Sequence, residues 1–206
     1  MNAVVDGDVL NDAAYVSFYY RLQEKIACDD CLFDASWNCN PTSFGQRSQW
    51  CAQVLCCSQD VLWPRRFFSH IIERLILLKP VALHRLLCAI SLLTHQQDLR
   101  WCIDGATVRA LHAVVGSKAI AAILSGKDDF DGCFGGHQLD VATLTAQAFS
   151  AIASACDGQH ALVPDMLRVA LPMELPMVEV RCDEATVQRL LYQAHGWYPE
   201  DSWLFG

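Results

Sequence analysis

The stretch Leu86–Thr94 (LLCAISLLT) constrains this chain most. It carries no charge over nine residues and follows directly on His84 and Arg85. A membrane span needs ~20 apolar residues, so a run this short cannot cross a bilayer. A helix this apolar is stable only when other elements surround it. Val81–Thr94 therefore reads as a buried central helix, starting at once after Pro80.

The segments that could wrap it have helical spacing. Asn11–Ala27 places Tyr15, Phe18, Tyr19, Leu22 and Ile26 on one face, with Arg21, Glu24 and Lys25 opposite, and Asp12 can cap its start. Ser43 and Gln46 have the form of a capping box opening a helix through Val54, which Trp63-Pro64 breaks. Arg65–Leu78 points Phe68, Ile71, Ile72, Leu75 and Leu78 one way. After the central helix, Leu99–Ile103 reads as a short turn. Asp104 opens a helix to Val115 with Val108, Leu111, Val114 and Val115 inward, Gly116 closes it in a left-handed conformation, and Ser117–Leu124 follows. Gln138–Cys156 is a long helix of small residues, in which Thr143, Thr145, Gln147, Ser150 and Ser154 fit one wet face. Pro172 and Pro176 bracket an extended segment, Met177–Arg181 alternates weakly as one short edge strand, and Asp183 caps a final helix to His195.

These elements add up to an all-α fold, a compact multi-helix domain of about eight to ten helices with at most one short edge strand or hairpin. Residues 1–206 read as a single helical domain: a cysteine-rich part (1–64), a central helical core (65–126), an acidic Gly-rich loop (127–136), and C-terminal helices with an aromatic tail (137–206). Hydrophobic residues make up 53% of the chain and charged residues 18%. That balance folds, and its apolar surplus suits a protein partly covered by partners. A net charge of -8 disfavours nucleic acid, which binds by counterion release, and anionic membrane surfaces. Met1–Leu10 contains Asp6 and Asp8 and no basic residue, unlike a secretory leader. The 11 cysteines are odd in number, and several, such as Cys88, Cys102 and Cys156, sit inside apolar helical patterns as small hydrophobes. A reducing cytosol is expected.

The chain is poor in catalytic signatures. G-x-S-x-G, Walker and G-x-G-x-x-G motifs are missing from the sequence, so acyl transfer at an elbow serine and phosphate cradling lack their usual parts. Cys28-x-x-Cys31 is one pair with zinc-ligand spacing, and a structural zinc site needs two such pairs. Cys39, Cys51, Cys56 and Cys57 do not supply the second, so core and surface thiols are the expected reading, and no cofactor is expected. Asp128, Asp129 and Asp131 resemble part of a calcium loop without its closing glutamate and read as a solvated acidic loop. His84, His95 and His112 fall at helical positions, as packed or solvated residues. The aromatic tail, Trp197, Tyr198, Trp203 and Phe205, either lies against its own core or anchors a partner, as Trp and Tyr commonly do.

Leu83–Leu124 carries a further pattern. A Leu-rich helix with Leu86, Leu87, Leu92 and Leu93 runs to His95. A short helix of the form L-R-x-C-I follows on Leu99, Arg100, Cys102 and Ile103. Then come a helix on Val108, Leu111, Val114 and Val115 and another on Ile120 and Ile123. This pattern, over about a fifth of the chain, resembles the SctK family of bacterial type III secretion, which includes YscK, PscK and NolU-like proteins. Cys28–Cys57 has no counterpart in it. The resemblance implies a non-enzymatic adaptor of the cytosolic sorting platform, bridging an SctD-like inner-membrane ring protein to an SctQ-like pod protein. Through the pod it would reach the ATPase regulator. The implied location is the bacterial cytoplasm at the inner-membrane face, without membrane insertion. The alternatives are a zinc- or thiol-dependent enzyme and a helical secretion chaperone or regulator.

Overall fold

The computed structural model describes residues 12–27, 68–126, 130, 132–135, 138–156, 162–172 and 174–205. Its helices are α1 (Asp12–Ala27), α2 (Ile71–Arg74, tightening into a 3-10 turn at Leu75–Leu77), α3 (Pro80–Leu93), α4 (Gln96–Trp101), α5 (Gly105–Val115), α6 (Ser117–Ser125), α7 (Val141–Ala155), α8 (Leu162–Val169), α9 (Glu184–Gln193) and a closing 3-10 segment (Pro199–Phe205). The fold is all-α, with no strand among the described residues. The Ser43 helix, the Trp63-Pro64 break and the acidic residues Asp128, Asp129 and Asp131 lie outside them.

The apolar run governs the architecture as its composition requires. Nearly every residue of α3 from Leu86 to Leu93 is buried. Pro80 begins the helix at a position where its missing N–H costs nothing. α7 packs lengthwise on α3, and α4, α5, α6 and α9 pack around the pair. Ala148 and Ala151 of α7 are wholly buried, and such small side chains let two helix backbones approach closely.

The expected helix Arg65–Leu78 is interrupted. Phe68 takes φ 73°, a left-handed conformation that an α-helix cannot continue through and that bulky side chains rarely adopt. Two interactions hold it there. Its ring is fully buried near Phe18, with centroids 5.7 Å apart, and its carbonyl accepts from Arg74 Nε at 2.8 Å. The helix proper starts at Ile71, where His70 N donates to Glu73 Oε2.

Four further expectations are corrected. Lys25 is buried rather than on the outer face of α1. Its Nζ donates to Ile76 O at 2.6 Å and also to Leu78 O, so it serves carbonyls that the end of a helix leaves without partners. The polar residues of α7 do not form a wet face. Thr145 and Gln147 are buried, and the hydroxyls of Ser150 and Ser154 each bond the main chain of a segment crossing the helix. Val180 N donates to Ser150 Oγ (2.9 Å) and Cys182 N to Ser154 Oγ (3.3 Å), and both hydroxyls donate back to the same residues' carbonyls. Met177–Arg181, expected as an edge strand, is this extended strap. Side-chain hydroxyls bond its backbone in place of a neighbouring strand. α7 also begins at Val141 rather than Gln138, because Asp140 caps it through Thr143 N.

Candidate interaction surfaces

α4 is only six residues long and ends at Cys102, whose backbone is extended. Leu99 turns inward and is buried, while Arg100 Nη2 reaches across to Leu124 O (3.2 Å) and Gly126 O (3.3 Å) at the end of α6. The extended link then alternates its side chains. Trp101 is 81% exposed, Cys102 half-buried and Ile103 99% exposed. The sequence pattern treats Ile103 as one of a set of packing residues, and the structure corrects that. Asp104 follows and caps α5, accepting from Ala106 N and Thr107 N, each at 3.1 Å, and from the Thr107 hydroxyl. These bonds, the hydroxyl foremost, hold its carboxyl below the usual carboxylate range.

α5 and α6 meet at Gly116, φ 88°, with axes bent by 109°. The ψ of 147° differs from the compact left-handed cap that the sequence suggests. Leu111 and Val115 of α5 are buried and Val114 and Val108 half-buried. Ala106, Arg109, Ala110 and Ala113 face outward. Gly105 leaves room for the Arg109 guanidinium, since a Cβ there would lie 3.3 Å from Arg109 Nη1.

The aromatic tail divides in two. Trp197 and Tyr198 are buried. The Tyr198 hydroxyl donates to Val115 O at 3.0 Å, and burial pushes its pKa up. Arg85 lies over the Tyr198 ring, 4.1 Å from its centroid, and pairs with Glu200 and Asp201, each at 2.7 Å. Asp201 remains raised, because its burial outweighs the Arg85 pair. Trp203 and Phe205 are half-buried. Trp203 has Arg21 above its ring at 4.3 Å. Phe205 meets His195 at 4.8 Å and the exposed Tyr192 at 6.1 Å. Of the four tail aromatics, only Trp203 and Phe205 therefore offer surface, and Tyr192 joins them. Lys118 at the start of α6 donates to Gly196 O, while Arg100 grips the other end of α6. The two surfaces thus lie toward opposite ends of that nine-residue helix, roughly 13 Å at 1.5 Å per residue.

Several groups capable of chemistry are engaged in structure. His95 is buried, with Nδ1 2.9 Å from Ser91 O and Nε2 3.1 Å from Gly135 O. Gln147 Nε2 donates to the same Gly135 carbonyl at 3.0 Å, and Gly132 N donates to Thr94 O. With Phe130 and Phe134 buried, these bonds fasten the loop before α7 onto the end of α3. His112 is exposed beside Ser117 Oγ. Burial pushes the Cys88 thiol up to about 12, and Cys182 is also raised, chiefly by burial. Both shifts oppose the thiolate a nucleophile needs. Cys28 and Cys31 lie outside the described residues. Among the described residues, no group of three His, Cys, Asp or Glu side chains could hold a metal ion. No single described helix is long and apolar enough to cross a membrane.

The exposure of Trp101 and Tyr192 was not legible in sequence. Both sit in helical segments where an aromatic ordinarily marks the buried face. The available signal for Trp101 was the following helix α5, whose outward side carries Ala106, Ala110 and Ala113 beside Arg109 and His112.

A family model described as YOP proteins translocation protein K (YscK) matches residues 67–189. No curated protein and no solved structure matches.

Proposed function

Because the chain belongs to the YscK family of type III secretion proteins, we propose that it is a non-enzymatic adaptor of the cytosolic sorting platform. In this reading it bridges the SctD-like inner-membrane ring protein to the SctQ-like pod protein, and through the pod meets the ATPase regulator. It works in the bacterial cytoplasm against the inner-membrane face, without inserting into the membrane or binding nucleic acid.

The observation that carries this reading is the family match across the helical core. Two features agree with it. A bridge needs two separable surfaces, and the molecule offers Trp101–Ile103 at one end of α6 and the Tyr192–Trp203–Phe205 band toward the other. The described histidines and raised thiols serve packing and hydrogen bonding.

The test is co-purification of the tagged chain from cells expressing the whole apparatus. Recovery of both the pod and ring proteins is expected. Recovery of neither, with both present and soluble, would overturn the proposal. Recovery of secreted substrates alone would make the chain a chaperone.

A further inference from the structure

The strap over α7, residues 177–182, has two lateral edges, and only one of them is in use. In an extended chain the N–H and C=O of one residue point to the same side, and those of the next residue to the opposite side. Val180 and Cys182 turn theirs to Ser150 and Ser154 of α7. The spacing fits, since two strand residues advance ~6.7 Å and four helical residues ~6 Å. Burial alternates with the same period. Met177, Glu179 and Arg181 are exposed, Val178 and Cys182 half-buried, and Val180 buried. The N–H and C=O groups of Glu179 and Arg181 therefore face away from α7, and no group among the described residues bonds them. Each of these two residues offers one donor and one acceptor along a free strand edge. What satisfies such an edge is another extended main chain.

The side chains on this edge select which chain that is. Glu179 and Arg181 are 78% and 86% exposed, and within the strap they pair with each other at 3.0 Å. Charged residues on an edge ordinarily keep other strands away. Here the two signs stand two residues apart, so the edge complements its own inverted copy. An antiparallel pair with a two-fold axis at Val180 sets Glu179 opposite Arg181 of the second copy, and Arg181 opposite Glu179 of the second copy. Opposite charges directly across a strand pair stabilise it and like charges destabilise it. Moving the axis to Glu179 or to Arg181 sets that residue against itself, like charge on like. In the register centred on Val180 the outward peptide groups and the charges are satisfied together, and the two-fold axis repeats each contact.

We propose that the free edge of the strap pairs with the same edge of a second copy of this chain, antiparallel about Val180, through the main-chain groups of Glu179 and Arg181 and ion pairs between their side chains. The bridge is short, so the dimer is weak and depends on concentration. Val180 and Cys182 keep their bonds to α7 throughout, and pairing leaves the monomer fold unchanged. It is independent of the adaptor function.

The test is sedimentation velocity on the full chain at low salt, over ~10–500 μM. The wild type should show a reversible monomer–dimer equilibrium. Glu179→Arg and Arg181→Glu each set like charges opposite, and each alone should weaken the dimer at least about tenfold. Mixed in equal amounts, these two variants should form a heterodimer as tight as the wild-type dimer, because the charges of one then oppose those of the other. The double variant Glu179→Arg/Arg181→Glu should dimerise as the wild type does. Both positions are exposed, and a far-ultraviolet spectrum verifies that each variant is folded. Amide hydrogen exchange at Glu179 and Arg181 should slow as the wild-type concentration rises, while Val180, already bonded to Ser150, should not change. A wild type that stays monomeric throughout would overturn the proposal, whether or not the strap binds an extended segment of another protein. So would a dimer indifferent to both single variants, or a mixture of the two that yields no heterodimer.

Discussion

Arg74 Nη1 donates to the carbonyl of Leu204 at 2.8 Å, joining residues 130 apart in sequence. The same guanidinium serves Phe68 O through Nε and Ser69 O through Nη2, and lies 5.2 Å from the Phe18 ring. One buried side chain thus ties α1, the turn before α2 and the C-terminal segment together. Arg74→Met keeps the bulk but strips donors from several carbonyls, and each buried acceptor left without a partner costs ~1–3 kcal/mol. A loss of about 3 kcal/mol is expected in urea unfolding. A loss below ~0.5 kcal/mol would show the carbonyls finding water.

Gly116 supports a second prediction. A Cβ added there meets nothing within 4 Å, yet its φ of 88° is one that other residues rarely adopt. The cost of Gly116→Ala is therefore backbone strain alone, about 1–3 kcal/mol. Thermal unfolding monitored by circular dichroism should give a lower midpoint with an unchanged native spectrum. A stable Gly116→Ala would mean that the 109° elbow tolerates other geometry.

The helix caps give the acid response a definite sign. Asp104 and Asp183 are both held low, first by hydroxyl bonds from Thr107 and Thr186 and then by backbone N–H groups. A depressed folded-state pKa contributes stability that is present above the unfolded carboxylate range and lost as pH falls through the folded value. Asp201 is raised and acts with the opposite sign. Urea midpoints should therefore fall between neutral pH and pH 3. Asp183→Asn, which caps without titrating, should flatten that fall. An identical slope in the variant would remove Asp183 from the account.

Gln147 is the hinge of a buried polar network, accepting from Ser91 Oγ at 3.0 Å and donating to Gly135 O. Gln147→Leu leaves the Ser91 hydroxyl facing a hydrocarbon and removes one of two donors to Gly135. About 1–3 kcal/mol should be lost, together with faster limited proteolysis between Phe130 and Gly136. Unchanged cleavage would show that His95, Phe130 and Phe134 suffice to hold the loop.

The α-helical class and the central position of α3 followed from the uncharged run and the spacing around it. So did the caps at Asp104 and Asp183, because a carboxylate one residue before an apolar periodic segment has one obvious use. Lys25, Gln147, Ser150 and Ser154 were misread for a common reason. Periodicity assigns polar residues to water, whereas these four meet backbone groups brought near by distant segments. Phe68 was misread because an aromatic in helical register gives no sign that its backbone is left-handed. Of the candidate sites, the tail stood out by its composition, but the inward turn of Tyr198 depends on Arg85 and Val115, far away in sequence.

The strap over α7 has one more consequence. Ser150 and Ser154 grip it solely through the main chain of Val180 and Cys182, and Met177 just ahead of them is fully exposed. A segment held by its peptide groups and by the buried Val180 side chain keeps its path whatever stands at its exposed positions. Met177 and Glu179 can therefore be rewritten freely, which gives the protein a surface whose specificity is adjustable without disturbing the fold.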